Sequence, residues 1–150
     1  MTEPRNNGSR TLPEVADTEA LGRELAGTLT AGDLVILDGP LGAGKTAMAR
    51  GIAAGLGVVG RVSSPTFIIA REHRPGSADR PGMVHVDAYR LGGLDELDAL
   101  DLDSDLDGSV VVVEWGEGVA EHLVDRHLRV RLRRAEDSEV RRAEWEWVEL

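Results

Sequence analysis

The chain has 150 residues, 41% of them hydrophobic, with no cysteine and a formal net charge of -10. That length supports one folded domain, and the apolar content argues against wholesale disorder. The lack of cysteine excludes disulfides, thiolate metal sites and cysteine nucleophiles. No apolar run approaches a membrane span and no signal-peptide pattern opens the sequence, so a cytoplasmic protein with no membrane attachment is expected. So negative a charge repels phosphate backbones; direct DNA binding is not expected, and any RNA role should run through a partner protein.

Residues 1–10 read as a flexible polar tail, and residues 11–150 as one domain. Asp17 can cap a helix in which Leu21, Leu25 and Leu29 form one apolar stripe. Gly32 and Asp33 break it. Leu34 to Leu37 is a short unbroken apolar run, as expected of a strand buried on both faces. A glycine-rich turn follows, then a helix over 46–56 ended by Gly55 and Gly57. Phe67 to Ala70 is a second strand, and 71–82, with two Pro-Gly steps, an exposed loop. Met83 to Val86 is a third strand, closing at Asp87. Leu91 to Leu102 suggests helical turns, Val110 to Val113 a buried strand closing at Glu114, and 117–124 a short helix. At the end Leu128, Val130 and Leu132 alternate with charges, as do Trp145 and Trp147 with Glu144 and Glu146. A β-hairpin with one wet face is expected there.

Strands alternating with helices predict an α/β sheet with a mostly parallel centre, whose ligand sits at the carboxyl ends of the strands. The turn at Gly39, Asp87 and Glu114 would then share one edge.

Gly39-Pro40-Leu41-Gly42-Ala43-Gly44-Lys45-Thr46 matches the phosphate-loop pattern G-x-x-x-x-G-K-S/T in full. Glycines let backbone N–H groups curl around phosphate oxygens, and the following helix points its positive end at them. Leu41, Gly42, Ala43, Gly44, Lys45, Thr46 and Ala47 are therefore the candidate nucleotide contacts. Lys45 is the only lysine in the chain. It can reach the β- and γ-phosphates as a point charge, and the Thr46 hydroxyl can ligate magnesium. Phosphoryl transfer also needs a group that serves the metal and one that orients water. Asp87 and Glu114, each closing an apolar strand, are the candidates, with Glu114 able to orient water or share the metal shell.

Asp103, Asp105, Asp107, Gly108 and Glu114 also satisfy the spacing of a calcium-binding EF-hand loop. The exit half of such a loop begins a helix, whereas Val110 to Val113 are strand formers. Calcium sensing is not expected. Guanine-specific GTPases use an N-K-x-D motif, which a chain whose sole lysine is Lys45 cannot contain, so adenine is the expected base. A small-molecule kinase would need a lid, for which 71–82 is the one candidate.

These residues resemble the TsaE (YjeE) family of bacterial P-loop ATPases. The markers are Thr18-Glu19-Ala20-Leu21-Gly22, the phosphate loop, Ser63-Ser64-Pro65-Thr66-Phe67, His85-Val86-Asp87-Ala88-Tyr89-Arg90-Leu91 and Glu114-Trp115-Gly116-Glu117, in the family's order. The resemblance implies a Mg-dependent ATPase, binding ATP or ADP, that works with TsaB and TsaD to make threonylcarbamoyladenosine in tRNA. Hydrolysis would reset that assembly, and tRNA would be met only through it. The resemblance further implies that Thr66 senses the γ-phosphate or metal, Asp87 serves magnesium, Glu114 is catalytic together with Lys45, and Trp115 lies near the nucleotide. A core role for Trp115 is equally open. Pro40 departs from the family, many members of which carry Asp there. The competing readings are a small-molecule kinase and a scaffold gated by ATP without hydrolysis.

Overall fold

The two unbroken apolar runs of the sequence lie side by side. In the computed structural model β2 (Leu34–Asp38) and β5 (Ser109–Glu114) pair in parallel, Leu34 opposite Val111 and Leu37 opposite Glu114. Both faces of these strands are buried, so neither polar alternation nor a wet face is needed. The structure describes residues 7–40, 44–59, 70–77, 79–87, 108–114, 126–134, 138 and 140–149; of Ala70, Arg71 and Asp87 it describes the backbone alone.

The remaining described elements are β1 (Gly8–Leu12), α1 (Val15–Ala26), α2 (Lys45–Leu56), β3 (Ala70–His73), β4 (Gly82–Asp87), β6 (Arg126–Arg134) and β7 (Arg141–Glu149). The strands form one seven-stranded sheet in the order β1-β7-β6-β2-β5-β4-β3. Its centre, β6-β2-β5-β4, is parallel, while β7 and β3 run antiparallel to their inner neighbours. The α/β sheet with a parallel centre and an antiparallel C-terminal hairpin is the arrangement that the sequence predicts. The hairpin does more than the sequence suggests, because β6 also joins the parallel centre against β2.

One face of the sheet carries Val35, Leu37, Met83, Val110, Val112, Leu128, Val130 and Leu132 into a single core with Leu21 and Leu25 of α1 and Met48 and Ile52 of α2. Trp145 and Trp147 pack against the same cluster. The two helices approach closely because glycine lies at their contact. A Cβ on Gly51 would stand 2.2 Å from the Glu19 carbonyl oxygen, and one on Gly22 2.7 Å from that of Met48.

Several boundaries differ from expectation, each for a local reason. Gly8 to Arg10, read as part of a tail, lie in β1, because Gly8 pairs with Trp145 and its missing side chain leaves room for the indole. Glu14 rather than Asp17 is the N-cap of α1. Asp17 sits at the third helical position and its carboxylate accepts the Glu14 N–H at 2.9 Å, one half of a capping box. The helix stops at Ala26, and Leu29 is buried beyond its end. Gly55 lies inside α2, against Ala26 and Arg23, and Gly57 alone ends the helix with a left-handed φ of 75°. The segment 71–82 is not all loop: residues 71–73 belong to β3 and pair with β4, and His73 is buried. The strand expected over Phe67 to Ala70 and the helices expected over 91–102 and 117–124 lie largely or wholly outside the described residues.

Candidate functional site

β2 delivers the chain to the carboxyl edge of the sheet at Asp38, and Gly39 and Pro40 begin the turn. α2 starts at Lys45 after an N-cap, Gly44, whose φ of 104° is in the left-handed region open chiefly to glycine. Gly44 has no side chain to cap the helix, and the first turn of α2 contains no acidic residue. A 12-residue helix thus presents its N-terminal N–H groups and positive dipole end toward the turn without a carboxylate of its own sequence across them.

Lys45 folds back over this turn. Its Nζ donates to the Gly39 carbonyl oxygen at 2.6 Å and to that of Pro40 at 3.1 Å, and the residue is 5% exposed. An ammonium so buried needs such acceptors, because desolvating an uncompensated charge is very costly. Pro40 is itself exposed, so only its carbonyl turns inward. Thr46 follows in the first turn of α2, half-buried, and Ala47 is buried against the core. Thr18 of α1 and Arg141 of β7 border the same place, their side chains 3.7 and 4.0 Å from where a Cβ on Gly44 would be.

The two carboxylate positions are brought together by strand register. Asp87 and Glu114 are cross-strand partners at the ends of β4 and β5, and Leu37, two residues before Gly39, is the partner of Glu114 on the other side. Gly39, Asp87 and Glu114 therefore share the carboxyl edge of the sheet. Glu114 is buried, and its Oε2 is 2.5 Å from Nε2 of His85 on β4. His85 pairs with Val112, one step back on the same face, so it meets Glu114 diagonally. Sequence alone assigns no role to His85, which opens the 85–91 segment. The signal was there: His85 shares its parity with Met83, and Glu114 with Val112, on the core-facing side.

Leu41, Gly42, Ala43, Thr66 and Trp115, and the side chain of Asp87, lie outside what the structure describes. So do Asp103, Asp105 and Asp107 of the EF-hand-like pattern; its last residues, Ser109 to Glu114, form β5, and Glu114 turns to His85.

A phosphate chain fits the uncapped α2 terminus and Lys45 by charge and by donor supply. Magnesium takes oxygen ligands and usually only one or two from protein, completing its shell with phosphate and water. The Thr46 hydroxyl and the Glu114 carboxylate are oxygens of that kind. Among the described residues no group of three or more His, Cys, Asp or Glu could by itself enclose a metal.

The family model for threonylcarbamoyl adenosine biosynthesis protein TsaE matches residues 12–143. The chain belongs to the TsaE family. Its relatives include the tRNA threonylcarbamoyladenosine biosynthesis protein TsaE of Mycobacterium tuberculosis, 56% identical over 146 residues, with 93% of this chain and 87% of the relative covered. The protein of the same name from Streptomyces coelicolor is 62% identical over 116 residues, covering 77% of this chain and 78% of that one. Among solved structures, the crystal structure of Bacillus subtilis YdiB superposes with a TM-score of 0.71 at 28% identity, covering 96% of this chain and 87% of that one. The TsaE match spans the phosphate loop and both carboxylate-bearing strands. Among the described residues no helix is long and apolar enough to cross a membrane.

Proposed function

We propose that this chain is the Mg-dependent ATPase subunit of the machinery that makes threonylcarbamoyladenosine in tRNA, hydrolysing ATP to support turnover of a TsaB–TsaD complex in the cytoplasm. The observation that carries the reading is Lys45, folded over an uncapped helix N-terminus in a chain of the TsaE family. The names of the relatives supply the pathway, and the loop supplies the chemistry.

In this reading the N–H groups of the 39–46 loop and of the first turn of α2 hold the β- and γ-phosphates. On nucleotide binding, Lys45 exchanges the carbonyl oxygens of Gly39 and Pro40 for phosphate oxygens, so a cation already desolvated meets the anion with little reorganisation. Thr46, with Asp87 and Glu114 at the sheet edge, would hold magnesium, which when bound offsets the charge on the phosphates. The Glu114 carboxylate orients the attacking water by accepting a hydrogen bond from its O–H. Water adds to the γ-phosphorus as the bond to the bridging oxygen breaks, and ADP and inorganic phosphate leave. Thr66 is assigned to sensing the γ-phosphate and Trp115 to the nucleotide's surroundings. Lys45 cannot serve as part of a guanine-reading N-K-x-D motif, which favours adenine.

The test is threonylcarbamoyladenosine formation on tRNA in a reconstitution with TsaB, TsaD and a preformed, activated threonylcarbamoyl donor. With ATP, many modified tRNAs per complex are expected; with a non-hydrolysable ATP analogue, no more than a single round. Repeated rounds with the analogue would rule out the hydrolytic role and leave an ATP-gated scaffold.

A further inference from the structure

We infer that His85 is a positioning residue that holds the carboxylate of Glu114 in the direction from which it acts on water. The inference rests on the hydrolytic reading of Glu114 given above and assigns a role to a residue that reading does not use.

Three observations carry it. First, His85 Nε2 and Glu114 Oε2 are 2.5 Å apart, with side chains 0% and 7% exposed, so water does not compete for the contact. An ionised carboxylate only accepts, so the ring Nε2–H donates to it. Second, the two residues sit on adjacent paired strands, His85 opposite Val112 and Glu114 two residues on, within a strand pairing unbroken from Gly82 to Asp87. The ring is therefore held by the sheet. A glutamate has three side-chain torsions; with Oε2 tied to a fixed ring, rotation about the last of them is removed and Oε1 takes one direction. Third, the imidazole stands beside an aliphatic core, and its Nδ1 has no hydrogen-bond partner among the described residues. A leucine or methionine would serve packing there without burying a polar ring. Among the described residues the ring's polar contact is with Glu114, which is where a fold accepts a buried polar ring when a reacting group needs to be aimed.

The experiment compares His85→Gln with His85→Asn. The glutamine amide can place an N–H near the Nε2 position, whereas asparagine is one methylene short. Both are polar and both fit within the volume of the imidazole, so a merely structural role makes them equivalent. With TsaB and TsaD present, His85→Asn is expected to lower kcat about 100-fold, the scale of a misplaced reacting group. His85→Gln should recover most of that, and at saturating magnesium the loss should fall on kcat more than on KM in both variants. Melting temperatures of the two variants should agree. A second readout needs no activity: in protein labelled with 15N-histidine, the His85 ring N–H should give a slowly exchanging, downfield proton resonance that shifts in Glu114→Gln. Equal kcat in the two variants, or a ring proton unaffected by Glu114→Gln, overturns the inference while leaving hydrolysis standing. A wild-type protein that releases no phosphate with its partners contradicts the hydrolytic reading itself, and this inference with it.

Discussion

Asp38, the last residue of β2, and Arg131 of β6 face each other across the sheet, with Oδ2 and Nε 3.8 Å apart. Arg131 is also opposite Glu144 of β7, and next to it Arg129 lies 3.6 Å from Glu146. On the face of β6 and β7 turned away from the core, Arg129 and Arg131 thus stand opposite Glu146 and Glu144, whereas Arg133 meets Arg142. Through Asp38 the two arginine–acid pairs reach the residue that leads into the phosphate loop, which ties the start of that loop to the hairpin. The pair is partly exposed, and pairs of this kind contribute about 0.2–1 kcal/mol. Arg131→Gln is expected to cost no more than that in urea denaturation, with the difference shrinking at high salt. A loss of several kcal/mol would mean that the hairpin is held to β2 mainly by this contact.

Gly51→Ala separates helix propensity from packing. On propensity alone, alanine in a helix interior gains about 1 kcal/mol over glycine. Here the new methyl would stand 2.2 Å from a backbone carbonyl of α1, an atom that cannot move aside without moving the helix. The variant should be destabilised by about 1–3 kcal/mol, the usual cost of overpacking. Thermal and urea unfolding check the sign, and a stabilised variant would contradict the close helix contact.

The central strands and the phosphate loop were legible in sequence because their signals are local. Leu34 to Leu37 and Val110 to Val113 are unbroken apolar runs, and the loop pattern is contiguous. What sequence missed depends on partners far along the chain. Gly8 to Arg10 carry no strand pattern and are recruited by β7, more than a hundred residues later. Gly55 looks like a helix end until α1 is seen against it. The sequence placed Asp87 and Glu114 at one edge, but their direct pairing is a matter of register, and the contact of His85 with Glu114 follows only from that register. Asp17 was read as a cap when the capping box shifts the cap to Glu14, the usual uncertainty of helix ends.

Stability should show a small acid-sensitive component from Arg10 and Glu24. These residues join β1 to α1 through an ion pair, and Arg10 also lies over Trp145, 5.8 Å from the ring centroid. The hydrogen bond from Arg10 lowers the Glu24 pKa below its ordinary value of 4.5. A carboxyl with a depressed folded-state pKa contributes stability above its unfolded pKa and loses it as pH falls through the folded one. Glu24→Gln should therefore be less stable than wild type at neutral pH, with the gap closing as pH drops below the ordinary glutamate value. A gap that stays constant into strong acid would show that the charge is not what matters.

Lys45→Arg should fail as fully as Lys45→Ala to bind nucleotide. The Nζ lies buried, donating to the carbonyl oxygens of Gly39 and Pro40, a place for a compact ammonium and not for a planar guanidinium. Calorimetric titration with ADP and magnesium is expected to show affinity lowered by at least about tenfold, or about 1.4 kcal/mol, in either variant. Retained affinity in the arginine variant would move the phosphates away from Lys45.

The most direct measurement is phosphate release from Mg-ATP, by the protein alone and then with purified TsaB and TsaD of the same organism. The expected result is a low rate that rises with the pair and disappears in Lys45→Ala and in Glu114→Gln, the latter still binding ATP. Tight ATP binding with no stimulation by the pair, or undiminished release in Glu114→Gln, would contradict the assignment of this site as the ATPase of tRNA threonylcarbamoyladenosine synthesis.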